Sequence, residues 1–236
     1  MILHAYCIRR AGEPPPDAAA RGIGGAGVAA VEEAGLAAWV SALDAPPPPE
    51  PERLREHDRV VRSALSTATP LPLRYGAAFR GEDALRAVLR GRAAELLAAL
   101  DRVHGRVEMG LAVGWDAAAA RERVLAARPD LRPPPEKPAT GRAYLESRRR
   151  EHALDAALRA EAGSLLDRVS RALSTALPDA EEARVPIPQP DLAGTLAHLV
   201  LREQASAYRA AAHAATGAVP EADLRVSGPW APYSFV

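Results

Sequence analysis

The chain has 236 residues with 30 basic and 30 acidic side chains, so it carries no formal net charge. That balance argues against a nucleic-acid binder, which carries a basic surplus or patch, and against electrostatic attachment to a membrane. Hydrophobic residues make up 48% but aromatics only 4%, so a core must rest on Leu and Val, and the length suits one large domain or two small ones.

Ile2 to Arg9 reads as a strand. Ile2, His4, Tyr6 and Ile8 alternate with Leu3, Ala5 and Cys7, which makes both faces mostly apolar and places the strand centrally in a sheet. Cys7 is the only cysteine and has no internal disulfide partner, which fits a reducing compartment. Arg9 and Arg10 follow a short apolar run instead of preceding a long one, so no signal-peptide pattern is visible and a cytoplasmic setting is expected. Glu13 to Ala20 is a proline-bearing loop, and Gly22 to Gly27 is a flexible glycine-rich one. Val28–Val31 and Leu36–Val40 are short strands turning at Glu33-Ala34-Gly35. The longest uncharged run with large apolar residues, Ala34 to Leu43, is too short to span a bilayer.

After the proline break at Pro46–Pro51, Glu52 to Ser66 has helical spacing, with Leu54, His57, Val60, Val61, Ala64 and Leu65 on one stripe. Leu71 to Phe79 reads as a strand whose Pro70 and Pro72 suit a start or an edge. Glu82 to Val103 reads as one helix, with Val88 and Leu97 among its inward residues. Val107 to Trp115 is the cleanest strand. Val107, Met109, Leu111, Val113 and Trp115 share a face; Glu108, Gly110, Ala112 and Gly114 share the other, where the glycines admit close approach of another element. A helix over Asp116–Ala127 and a proline-rich connector over 128–138 follow.

Tyr144 to Leu177 is a long helical segment that Gly163 bends or divides. Arg184–Ile187 is a strand candidate, and Thr195–Leu201 suits a strand or the start of a helix. Glu203–Thr216 is a helix ended by Gly217, and Leu224–Phe235 is the last strand. From Val107 onward the order is strand, helix, strand, strand, helix, strand, the split-βαβ order of a ferredoxin-like domain. The expected fold is therefore α+β in two domains joined near Gly105. Residues 1–104 form the first, and residues 105–236 form a modified ferredoxin-like second.

Chemistry is hard to find. Gly22-x-Gly24-x-x-Gly27 has the letters of a dinucleotide fingerprint, but a proline loop precedes it and a strand follows, where the fingerprint needs a strand before and a helix after. The sole lysine, Lys137, lies between prolines and outside any phosphate loop. No two histidines stand four apart, and consecutive Glu56-His57-Asp58 point in different directions on a helix, so no metal or cofactor site is expected. No Gly-x-Ser-x-Gly elbow anchors a serine hydrolase. Glu108 is an acid in an apolar setting, read as an edge or solvent-facing carboxylate. Arg148-Arg149-Arg150, flanked by Glu146 and Glu151, is a solvated helix face or a patch for an acidic partner.

Three of the ten aromatics, Trp230, Tyr233 and Phe235, sit in the closing stretch with Pro229 and Pro232. The prolines limit its backbone freedom, and its rings are expected to dock largely buried, joining the two domains or sealing the second. On that reading Trp230→Ala costs about 3–5 kcal/mol. The alternative makes the rings a docking face for a partner.

Several segments together resemble the GvpF/GvpL family of gas vesicle proteins. They are His4-Ala-Tyr-Cys-Ile8, Gly35-Leu-Ala-Ala-Trp-Val-Ser41, Glu56-His57-Asp58 with Thr69-Pro-Leu-Pro-Leu-Arg-Tyr-Gly76, Gly105-Arg-Val-Glu-Met-Gly110 with Trp115-Asp116, Gly141-Arg-Ala-Tyr-Leu145 and Gly228-Pro-Trp-Ala-Pro-Tyr-Ser-Phe235. Tyr75 stands where that family has Phe and Ala231 where it has Pro. Ala197-His-Leu-Val200 departs from its aromatic-bearing strand. The resemblance implies a non-catalytic accessory protein of gas vesicle formation, with two α+β domains, one ferredoxin-like. It would bind the small hydrophobic shell protein or other accessory proteins. Partner-binding or structural roles then fall to Arg74, Tyr75, Gly76, Glu108, Trp230, Tyr233 and Phe235. The competing reading is a small-molecule-binding or enzymatic α+β protein that uses the loop Gly22–Gly27.

Overall fold

The computed structural model describes residues 1–133, 140–185 and 191–236. The sole lysine, the stretch 134–138 of the connector and the end of the strand candidate Arg184–Ile187 fall outside them. The chain forms two compact units. The first comprises Met1–Glu108, Leu199–Ala205 and Gly228–Val236, and the second Met109–His198 and Ser206–Ser227.

The first unit begins with β1 (Ile2–Arg10), β2 (Ala29–Glu33) and β3 (Leu36–Leu43). Residues Leu3 to Arg9 are all buried, as expected of a central strand with two apolar faces. β3 pairs antiparallel with β1 and with β2. The β1–β3 register shifts between Ala5 and Cys7, at Tyr6. Such a bulge bends the strand and re-aims the bulged side chain. Arg9 is buried with its guanidinium 5.0 Å over the Trp39 ring and its Nε 2.9 Å from Glu13.

Helix α1 (Pro51–Thr67) starts with a proline, whose missing N–H is no loss in the first turn, and Glu52 there favours the helix dipole. It buries His57, Val60, Val61, Ala64 and Leu65, while Leu54 stays 43% exposed. The expected strand over Leu71–Phe79 is two short ones, β4 (Leu71–Pro72) and β5 (Ala78–Phe79). Both pair with β1, at Cys7–Ile8 and at Leu3–His4 respectively. Between them the chain turns at Arg74–Ala77, where Gly76 takes a φ of +91° that a side chain would strain. The helix expected over Glu82–Val103 divides at Arg92 into α2 (Glu82–Gly91) and α3 (Ala93–Val103). Val88 is exposed and Leu97 half-buried, while Leu85, Leu89, Leu96 and Leu100 are buried.

The second unit is built from β6 (Arg106–Trp115), α4 (Ala117–Ala127), α5 (Gly141–Ser174), β7 (Glu181–Val185), β8 (Leu192–Leu201), α6 (Ala205–Ala218) and β9 (Ala222–Trp230). Strands β6, β8 and β9 each contribute residues to both units. The antiparallel sheet has the order β7-β8-β6-β9. Leu111 and Val113 of β6, Leu165, Val169 and Leu173 of α5, Leu196 of β8 and Ala212 of α6 share one core. Asp116 caps α4 by accepting from the Ala119 N–H at 2.9 Å, and Thr140 caps α5 by accepting from Ala143 at 3.2 Å. That cap starts α5 three residues before Tyr144, and the helix runs unbroken through Gly163. A Cβ on Gly110 would stand 2.5 Å from the Ser227 hydroxyl, and one on Gly114 3.2 Å from Asp223, so both glycines serve close approach of β9.

The last strand stops at Trp230, not Phe235. Beyond it the chain folds back on itself, with the Tyr233 N–H bonded to the Ala231 carbonyl and that of Phe235 to Pro232. Pro232 has no N–H to continue a ladder.

Candidate functional site

A cluster of four rings lies on β1, α1 and the β4–β5 turn: His4, Tyr6, His57 and Tyr75. Centroid separations run from 5.0 Å for His4–Tyr6 to 5.8 Å for His57–Tyr75. The hydrogen bonds fix its protons. The Leu73 carbonyl can only accept, so His57 Nε2–H donates to it at 2.9 Å. Neutral His57 then accepts at Nδ1, and His4 Nε2–H donates there, also at 2.9 Å. His4 Nδ1 is left as a buried acceptor with no partner among the described residues. Burial and the neighbouring His57 push His4 down to about 4, and burial lowers His57 against the opposing Leu73 bond.

The glycine-rich loop is built into this cluster. The Tyr6 hydroxyl donates to Ser41 Oγ at 2.9 Å and accepts from the Ile23 N–H at 3.0 Å. Ser41 donates onward to the Gly27 carbonyl. The Gly24 N–H goes to the Glu56 carboxylate at 2.9 Å, and those of Gly22, Gly25 and Ala26 bond within the loop. Gly22 passes so close to the sheet that a Cβ would lie 2.0 Å from the Tyr6 oxygen. The loop is thus a docked turn and not the flexible segment its composition suggests. A phosphate would find those N–H groups already bonded and a carboxylate beside them. Glu56, His57 and Asp58 do point apart: Glu56 to Gly24 and Arg53, His57 to His4 and Leu73, Asp58 to Arg62.

The closing residues are clasped onto the first unit. Ala231 is buried in the core that holds Tyr6, Cys7, Ile23, Trp39, Val60 and Val61, and Tyr75 and Tyr233 pack against that same core. Glu108 accepts twice from Ser234, from its N–H at 2.8 Å and its hydroxyl at 2.9 Å. Arg102 Nη1 donates to the Phe235 carbonyl at 3.2 Å. Phe235 is 8% exposed. Trp230 and Tyr233 are only half-buried, short of the burial expected for all three rings. The reason for Trp230 is visible: its ring is faced by the Arg62 guanidinium at 4.2 Å, a group that keeps contact with water. Burial raises the Glu108 carboxyl, against the two Ser234 bonds that lower it, and burial also raises the Tyr233 phenol. Glu108 is therefore a positioned acceptor, not a solvated edge carboxylate.

The structure thus brings Tyr75, Tyr233, Trp230, Phe235 and Glu108 into one unit. Arg74 and Gly76 are exposed on the β4–β5 turn beside Tyr75, whose hydroxyl donates to the Pro48 carbonyl at 2.6 Å. His4, Ser41, Arg62 and Arg102 complete these networks and carry no sequence signal of their own, since each partner is far along the chain. In the second unit a separate polar cluster stands on β7, β8 and α6. The Tyr208 hydroxyl meets His198 Nδ1 at 2.9 Å, and His198 Nε2 meets Glu182 at 3.3 Å. Burial lowers His198, against Glu182, and raises Tyr208.

A family model described as "Gas vesicle synthesis protein GvpL/GvpF" matches residues 2–236. The chain is 31% identical to gas vesicle protein F of Streptomyces sp. (strain CB03234) over 245 residues, covering all of both chains. It is 35% identical to gas vesicle protein L of the same strain over 193 residues, covering 77% of this chain and 67% of that one. The crystal structure of GvpF from Microcystis aeruginosa superposes with a TM-score of 0.77 at 19% identity, covering 99% of this chain and 98% of that one. GvpF from Anabaena sp. PCC7120 superposes with a TM-score of 0.75 at 18% identity, covering 99% and 97%. At those identities the two structures speak for the fold. By the match along its whole length, the chain belongs to the GvpL/GvpF family of gas vesicle synthesis proteins.

Proposed function

We propose that the chain works in gas vesicle formation as a non-enzymatic accessory protein, binding the shell protein, other accessory proteins, or both, during nucleation and assembly. The observation that carries this reading is the family match over residues 2–236. The geometry is in keeping with it. The Ser234 hydroxyl and Glu108 carboxylate are spent on holding the closing segment, and the histidines His4 and His57 on holding the turn at Leu73. The exposed parts of Trp230, Tyr233 and Arg74 are the candidate contact surface. On this reading the protein is cytoplasmic and vesicle-associated; among the described residues no helix is long and apolar enough to cross a membrane. The strand order β7-β8-β6-β9, with helices before β7 and before β9, supports a modified ferredoxin-like second domain over 105–236 following an α+β domain over 1–104.

The direct test is co-purification of the full chain with the shell protein, alongside deletion of its gene from a vesicle-forming cluster scored for floating cells. Loss of flotation together with co-purification is the expected result. No co-purification under assembly conditions overturns the binding claim. Unchanged flotation overturns the role in assembly.

A further inference from the structure

The first three turns of α5 stand out within the second unit. From Gly141 to Ala153 every residue but Ala143 and Ser147 is exposed. Among them Tyr144 is 54% and Leu145 60% exposed, in a helix that otherwise buries its large apolar residues from Leu154 onward. Four arginines, Arg142, Arg148, Arg149 and Arg150, surround this pair against two glutamates, Glu146 and Glu151, with which Arg142 and Arg148 form helical ion pairs. An exposed apolar pair with a polar rim of net positive charge has the character of an interaction surface.

The same unit carries a groove of the opposite sign. A cavity of about 410 Å³ has Trp115 and Pro220 as apolar walls and the carboxylates Asp116, Asp191, Glu221 and Asp223 around them. Two cations temper it: Arg225 pairs with Asp223, and Arg168 with Glu221 at 2.6 Å. The indole Nε1–H of Trp115 is buried and has no acceptor among the described residues. The tip of α5 cannot reach this groove in its own chain. Arg168 touches the groove wall, and Tyr144 lies 24 residues earlier in the same helix, which is about 36 Å along the axis.

We propose that the basic, apolar tip of α5 docks into the acidic groove of a second copy of this chain. Tip and groove are different surfaces, so the contact is head-to-tail, and each added copy presents a fresh tip and a fresh groove. Such a contact grows an open chain unless its rotation closes a ring. The zero net charge removes any overall repulsion between copies. This self-contact stands independently of shell-protein binding.

The test uses the full chain in sedimentation velocity over a range of concentration and salt. One variant breaks the tip, Tyr144→Ser with Arg149→Glu. Another breaks the groove, Asp191→Lys with Asp223→Lys, and Asp191→Lys alone serves if loss of the Asp223–Arg225 pair upsets folding, which circular dichroism reports. The unaltered chain is expected to gain mass with concentration and lose it with salt. Each variant alone should associate about tenfold more weakly or worse, because like charges then face each other. Mixed in equal amounts, the two variants retain one good tip and one good groove and should form dimers that grow no further. A monomeric unaltered chain, variants that assemble as well as the unaltered chain, or a mixture that stays monomeric each overturn the proposal.

Discussion

The two units differ in how far directed bonds enter their cores, the second having its buried His198–Tyr208 bond beside an aliphatic core. The second buries Leu111, Val113, Leu165, Val169, Leu173 and Leu196 against small alanines. Seven of the ten aromatics lie in the first unit: Tyr6, Trp39, Tyr75, Phe79, Trp230, Tyr233 and Phe235. Its core is threaded by directed bonds from Tyr6, Ser41, His4 and His57. Aliphatic packing is non-directional and tolerates repacking if volume is kept. A buried polar network allows one arrangement and penalises each broken member by an unpaired group. The first unit needs that specificity because its core is assembled from a loop, a turn and a closing segment that periodicity alone would not place.

The largest effect should come from the aliphatic side. Leu111→Ala removes a fully buried side chain and should cost about 3 kcal/mol in urea unfolding of the full chain. Leu111→Met, which keeps volume, should cost less than about 1.5 kcal/mol. Equal losses from both would break the contrast.

Tyr6→Phe keeps the ring and deletes only the hydroxyl that Ile23 and Ser41 share. It should cost about 2 kcal/mol, the penalty of leaving a buried N–H unpaired, and should speed hydrogen exchange at Ile23. A neutral result would make the first core as non-directional as the aliphatic cluster of the second.

The histidines give a pH test of nearly the same size. His4 is pushed down to about 4 in the folded protein from an ordinary value of 6.5. Between those values the unfolded chain binds the extra proton, so stability rises with pH there. The contribution is complete above about pH 6.5 and is lost as pH falls toward 4. His4 alone should remove about 2 kcal/mol between pH 7 and pH 5. His4→Gln should flatten that slope; an unchanged slope assigns it to other groups.

Trp230→Ala is expected to have the smallest effect on stability, about 1 kcal/mol, because the ring is half-buried under Arg62 and the lost cation–π contact is a near-surface one. That is well below the 3–5 kcal/mol of a fully buried ring. Shell-protein pull-down on the same variant separates two roles. Lost binding with a nearly unchanged melting point makes the ring a contact residue, and a large drop in melting point makes it structural.

How much of this was legible follows the same division. The face of Val107, Met109, Leu111 and Val113, the glycines opposite, and the stripe of α5 could be read from the chain because strand and helix periods place them. The break of Leu71–Phe79 into β4 and β5 could not, since it depends on both halves pairing with β1 around a turn anchored by His57. The docked glycine loop was hidden for a like reason: its partners Tyr6, Ser41 and Glu56 are 14 to 32 residues away. Of the candidate residues, Glu108 was singled out for its apolar setting, yet its partner Ser234 lies 126 residues on. Trp230, Tyr233 and Phe235 were visible as a cluster, but not that a guanidinium would keep one ring near water.

The closing segment also sets a clock on synthesis. Ala231 and Tyr233 complete a core whose other members precede residue 109, and about 120 residues separate Glu108 from Gly228. At roughly 5–20 residues per second a ribosome needs about 6–24 s to bridge that gap. For that interval the core of the nascent first unit lacks Ala231 and Tyr233. A chaperone that shields apolar surface on emerging chains would find its client in that window, and ribosome stalling just before Gly228 should lengthen the encounter.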